Sequence, residues 1–143
     1  MQREIKFRGI VIDNGKHVVE KNEFRKLLKN GEWATGQMFS NKGQFFIGWF
    51  GIWYEVNHET IGQYTGLKDK NNREIYEGDI LQVFYGKENT PLTTTKVYFD
   101  EEGYWDSKNL SEKNPFKVCY AGFDKCEVIG NIYSNPELLK EGE

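Results

Sequence analysis

IGQYTGLKDKNNREIYEGDILQV, residues 61–83, packs three turn signals and two strand-like runs into one short stretch, and its reading decides the fold. Tyr64, Thr65 and Gly66 end one extended run, where Gly66 offers the positive φ of a tight turn without a side-chain clash. Residues 68–73 contain no apolar side chain and read as the tip of a hairpin. Asn71 and Asn72 suit the two left-handed positions of a type I′ turn. Glu77, Gly78 and Asp79 form the next turn. It launches residues 80–85, ILQVFY, which are β-branched, aromatic and apolar enough for a buried strand.

The same stretch carries four carboxylates, Asp69, Glu74, Glu77 and Asp79. Their spacing fits no calcium loop, because the glycine and the closing glutamate fall in the wrong places. The simpler reading makes Asp69 and Asp79 acceptors for backbone N–H groups of their own turns.

Outward from this stretch, composition supports strands. Aromatic residues make up 15% of the 143 residues, alongside 15 glycines, a balance that favours sheet over helix. Residues 3–8 alternate charged and apolar, which puts Ile5 and Phe7 on one face of a half-buried strand and Lys6 and Arg8 on the other. Residues 13–16, DNGK, read as a turn. Residues 22–31 are the first helix candidate: Asn22 caps it, Phe24, Leu27 and Leu28 share a face, and Gly31 stops it.

Residues 33–57 form an aromatic region with a hairpin turn at residues 41–43. A face of Phe46, Trp49, Phe50 and Trp53 is expected to serve as core, as subunit interface or as a stacking platform. Platforms for bases come with a basic groove, which the low local charge does not supply. Residues 93–100 and the run from Tyr104 read as strands around an acidic turn, with residues 107–114 as loop. Residues 117–120 and 126–133 read as a further hairpin, with Val128 and Ile132 on one face. Asn135, Pro136 and Glu137 have the order of a helix start, which leaves residues 135–139 as a second short helix.

The fold expected is mainly β (β-rich α+β), a small antiparallel barrel-like or sandwich sheet with one or two short helices. Residues 1–143 read as one domain, with a division into an N-terminal part, 1–60, and a C-terminal β core, 61–139, left open.

Charge and cysteines bound the function. The net charge of −3 argues against general nucleic-acid binding, although residues 1–30 carry a balance of +4 and the remainder −7. The basic segment either binds an anionic partner or docks on the acidic remainder, within a chain or between subunits. Cys119 and Cys126 flank a turn and could face each other. With no secretory signal and no run long enough to span a bilayer, a cytoplasmic setting with reduced thiols is expected. His17 and His58 are isolated and no paired metal-ligand motif occurs, so no metal or cofactor is expected.

The run GQYTGLKDKNNREIYEGDIL, with EVIGNIYSNPELL near the end and REIKFRG near the start, resembles the YopX family of phage and prophage proteins. The resemblance is strong over residues 61–83 and 126–139, good over 3–9 and weak between 10 and 56. Two departures are Asn72, where many relatives would carry the glycine of an Asn-Gly turn, and Gly9, where an alanine followed by tryptophan is common. The resemblance implies a mainly β protein of phages of low-GC Gram-positive bacteria, with self-association into a large homo-oligomer. It implies no catalytic residues.

No catalytic constellation is readable, so the expectation is a protein that is not an enzyme. The first hypothesis is a self-associating binding module acting on a host or phage protein. The second is a small-molecule binder for a nucleotide, with Arg8, Gln63, Tyr64, Thr65 and Arg73 as candidate ligands because they are polar or aromatic within the resembling stretches. The third is a small β barrel that binds nucleic acid.

Overall fold

The computed structural model describes residues 4–18, 26–49, 51–85, 88, 90–99, 105–109 and 125–140. The chain divides into two compact units, Met1–Tyr64 and Thr65–Glu143. Its strands are β1 (Phe7–Ile10), β2 (Trp33–Asn41), β3 (Gln44–Trp49), β4 (Ile52–Val56), β5 (Gly62–Lys68), β6 (Glu74–Tyr76), β7 (Asp79–Tyr85), β8 (Thr90–Phe99), β9 (Trp105–Asn109) and β10 (Cys126–Asn131). The mainly β expectation holds. The strands form two antiparallel sheets, and among the described residues neither closes into a barrel.

In the first unit, turn chemistry sets the register. Lys42 and Gly43 both take left-handed backbone, with φ of 51° and 82°. That is the two-residue turn whose twist matches its flanking strands, and it pairs Asn41 with Gln44. The neighbour order runs β4-β3-β2-β1-β5. The chain just beyond β1 returns to β4 through a single bridge, Val11 to Val56. Ile12 N donates to Glu55 O and Asn57 N to Ile10 O, both at 2.9 Å. The curled sheet encloses Val11, Ala34, Ile47, Tyr54 and Val56. Burying a side chain such as Ile47 contributes about 1.5–3 kcal/mol.

In the second unit, β7 is central, with β10 on one side and β8 then β9 on the other. Ile75, Leu81, Val83, Val97, Cys126 and Val128 form its core. β10 pairs with β7 from Cys126 opposite Val83 to Asn131 opposite Asp79. The two segments with the strongest family resemblance are therefore hydrogen-bonded neighbours. They are joined further by Lys70 N to Cys126 O at 2.8 Å and Ile132 N to Gly78 O at 2.9 Å.

Several expectations need correction. Residues 26–29 are irregular chain, not helix. Leu27 and Leu28 pack on the first unit's core from there, and Leu28 N donates to Tyr54 Oη at 3.2 Å. Residues 22–25 of that expected helix lie outside the described residues. The second expected helix exists, as the 3-10 helix Pro136–Lys140. Ile5 is 62% exposed instead of half-buried, because regular pairing starts only at Phe7. Gly66 has φ of 84° but ends no strand: β5 runs through it, and Leu67 N turns to Thr65 Oγ1 at 3.1 Å. β9 includes residues 107–109, expected as loop. A bulge between Val128 and Gly130 breaks the alternation behind the shared face of Val128 and Ile132. Residues 117–120, the acidic tip 100–103 and Cys119 lie outside the described residues.

Candidate functional site

Two buried carboxylates anchor the second unit's turns. Asp69 Oδ1 accepts from Asn71 N and Arg73 N, each at 2.9 Å. Its Oδ2 accepts from Val128 N, also at 2.9 Å and 59 positions away in sequence. Asp79 Oδ2 accepts from Tyr76 N at 2.8 Å. The turn-forming reading of both residues holds, and Asp69 also ties its hairpin to β10. Among the described residues no three acidic, histidine or cysteine side chains group as metal ligands.

Of the five expected ligand residues, Arg8, Gln63 and Tyr64 lie in the first unit and Thr65 and Arg73 in the second. Arg8 on β1 is half-buried, with its guanidinium carbon 4.7 Å from the centre of the Trp33 ring. Gln63 lies opposite Phe7 in the β1–β5 pairing. Tyr64 is buried, with Lys6 Nζ 5.0 Å from its ring centre. Thr65 is buried too, and its hydroxyl donates to Ile75 O at 2.8 Å, a role in the sheet. Arg73 is exposed beside the Asp69 turn.

The aromatic run is split by strand alternation. Phe46 pairs with Phe39 and Glu55, while Gly48 pairs with Trp53, so Phe46 and Trp53 share one side of the β2–β4 ladder. Trp49, with Ile47, points to the other. Phe50 lies outside the described residues. On the first side, Phe39 stacks on Phe46 with ring centres 4.9 Å apart and meets Trp53 edge-on at 4.7 Å. His17 packs edge-on to Phe46 at 5.2 Å.

His17 is placed by Asp13. Its Nδ1 lies 2.9 Å from Asp13 Oδ2, which also accepts from Glu55 N at 2.9 Å, while Oδ1 accepts from Gly15 N at 3.0 Å. The Asp13 side chain is 3% exposed. Burial pushes its carboxyl upward, but the donors at Glu55, His17 and Gly15 together outweigh that and hold it below its ordinary value of 3.8.

On the Trp49 side lies a cavity of about 360 Å³ in the first unit, walled by Leu28, Trp33, Trp49 and Tyr54, with Lys26 and Thr35 as polar members. Two glycines shape it. A Cβ on Gly48 would overlap Ile52 O, and one on Gly36 would lie 2.6 Å from Trp49 Nε1. The indole thus rests against bare backbone. Sequence reasoning singled out Trp49 but missed Trp33 and Lys26. Trp33, at the start of β2, also lines the cavity.

The family profile described as YopX protein matches residues 6–140, nearly the whole chain. The chain belongs to the YopX family. The crystal structure of protein EF1440 from Enterococcus faecalis is similar over 97% of this chain and 100% of its own, at 24% identity and a TM-score of 0.47. No curated protein sequence matches this YopX-family chain. Among its described residues no helix is long and apolar enough to cross a membrane.

Proposed function

We propose that this YopX-family protein is a non-catalytic, self-associating binding module that acts on a host or phage protein in the host cytoplasm. One observation carries the reading. Met38 and Phe39, successive residues on β2, are 37% and 42% exposed, so the hairpin presents large apolar side chains to solvent on both faces. On one face Phe39 extends into the ring cluster with Trp53, which makes a contiguous apolar patch. Such patches on soluble proteins mark interaction surfaces. The second unit's buried carboxylates, Asp69 and Asp79, are engaged by backbone N–H groups.

Light scattering at two protein concentrations and two salt levels tests the reading. An oligomer whose mass falls on dilution is expected, and Phe39→Ser should lower that mass while the thermal midpoint of the diluted protein stays within about 2 °C. Loss of the oligomer at high salt would assign part of the contact to the basic residues 1–30. A monomer under all four conditions would overturn self-association.

A further inference from the structure

We infer that the first-unit cavity binds a small molecule with a planar aromatic ring and an anionic group. This inference is distinct from self-association, whose test residue, Phe39, lies on the other side of the hairpin from Trp49. The cavity's size, about 360 Å³, is at the low end of the range for small-molecule sites. Its lining includes the rings of Trp33, Trp49 and Tyr54 beside aliphatic Leu28 and Ile52, and rings prefer to stack against a flat partner.

The walls are built in place. Trp49 is 39% exposed, and the absence of a Cβ at Gly36 makes room for its indole against the backbone. Tyr54 is fixed from the other direction, since its hydroxyl accepts the N–H of Leu28. A preset wall saves the ordering cost that binding would otherwise incur.

The anionic group follows from the polar members. Among the described residues Lys26 is the one charged member of the lining and is exposed, and none of them is a carboxylate. Thr35, also exposed, adds a hydroxyl that can donate to an anion. A ring seated against the Trp49 indole can direct its charged group toward Lys26.

Adenosine 5′-monophosphate, adenosine and ribose 5-phosphate serve as probes, read by quenching of intrinsic tryptophan fluorescence and by the shift in thermal midpoint. The monophosphate should quench saturably and raise the midpoint, while ribose 5-phosphate should do neither. Lys26→Ala, an exposed site that leaves the fold intact, should weaken the monophosphate about fivefold and leave adenosine unchanged. Trp49→Ala should abolish both responses. No saturable response to either adenine compound up to millimolar concentration would overturn the site. Equal affinity for adenosine and the monophosphate would overturn the anionic assignment, as would a Lys26→Ala protein that binds both like wild type.

Discussion

In the first unit, Phe39 stacks on Phe46 and meets Trp53 edge-on across the sheet while Trp49 lines a cavity on the other side. In the second, the core among the described residues is mostly aliphatic, and a single carboxylate, Asp69, gathers three backbone N–H groups from two distant segments. The segments that carry the strongest family resemblance, 61–83 and 126–139, fall mostly in the second unit, where Asp69 and β7 meet β10. The apolar surface and the cavity fall where the resemblance is weak. A recognisable motif can thus record how a unit is held together, while the surfaces available for binding sit elsewhere in the chain.

The largest effect that tests this contrast is Asp69→Ala. It leaves the N–H groups of Asn71, Arg73 and Val128 without their acceptor, two near the surface and one buried. A loss of about 3–5 kcal/mol is expected in urea unfolding. Hydrogen exchange locates it: amides of β7 and β10 should lose protection while those of β2–β4 keep theirs. Equal loss in both units would break the comparison, since Asp69 would then support the whole chain.

The first unit has a carboxylate of its own in Asp13, and its dependence on pH sharpens the contrast. Asp13→Asn should cost about 1–2 kcal/mol at pH 7, because one amide oxygen cannot serve Gly15, Glu55 and His17 together. The sign with pH follows from the lowered native value. The charged form is favoured by folding, so its contribution is fully present above 3.8 and disappears as pH falls through the lower native value. The difference between wild type and Asp13→Asn should therefore be flat from pH 7 to about 4 and shrink below it. A difference that grows on acidification would remove Asp13 from this role.

Much of this architecture was legible because strands and turns have local causes. Residues 80–85 read as a buried strand and became β7, flanked on both sides. The turn at 41–43 was marked by its glycine, and Asp69 by its position in a polar tip. What failed had non-local causes. Leu27 and Leu28 have helical spacing, yet the energy gained by packing on the β4 side and meeting Tyr54 Oη wins over local propensity. The face of Phe46, Trp49 and Trp53 was read as one, although period-two alternation already separates Trp49 from Phe46 within a strand. The cavity was out of reach because its lining draws on the irregular segment at Lys26 and Leu28 as well as on β2, β3 and β4, which meet only in the fold.

A smaller effect probes the second unit's core. Thr95 on β8 is fully buried, and its Oγ1 meets no hydrogen-bond partner among the described residues. A buried hydroxyl without a partner is costly, and valine has nearly the same shape. Thr95→Val should stabilise the protein by about 1 kcal/mol, seen as a higher urea midpoint with an unchanged slope. Destabilisation would show that the hydroxyl is satisfied and that the second unit tolerates no mismatch between carboxylate-held turns and its core.

The smallest effect concerns the turn that Asp69 holds. The sequence suggested left-handed backbone at both Asn71 and Asn72, but only Asn72 takes it, with φ of 64°. The reason is Asp69, whose Oδ1 accepts from Asn71 N and Arg73 N and so bends the chain into a longer loop with one left-handed residue. Asparagine tolerates that conformation at some cost, and glycine adopts it freely but is looser when unfolded. Asn72→Gly should therefore change stability by no more than about 0.5 kcal/mol in either direction, whereas Asn72→Val should cost about 1–2 kcal/mol. If valine were tolerated, the Asp69 carboxylate would not be setting the backbone of this loop, and the contrast between a unit held by rings and one held by a carboxylate would lose its sharpest local instance.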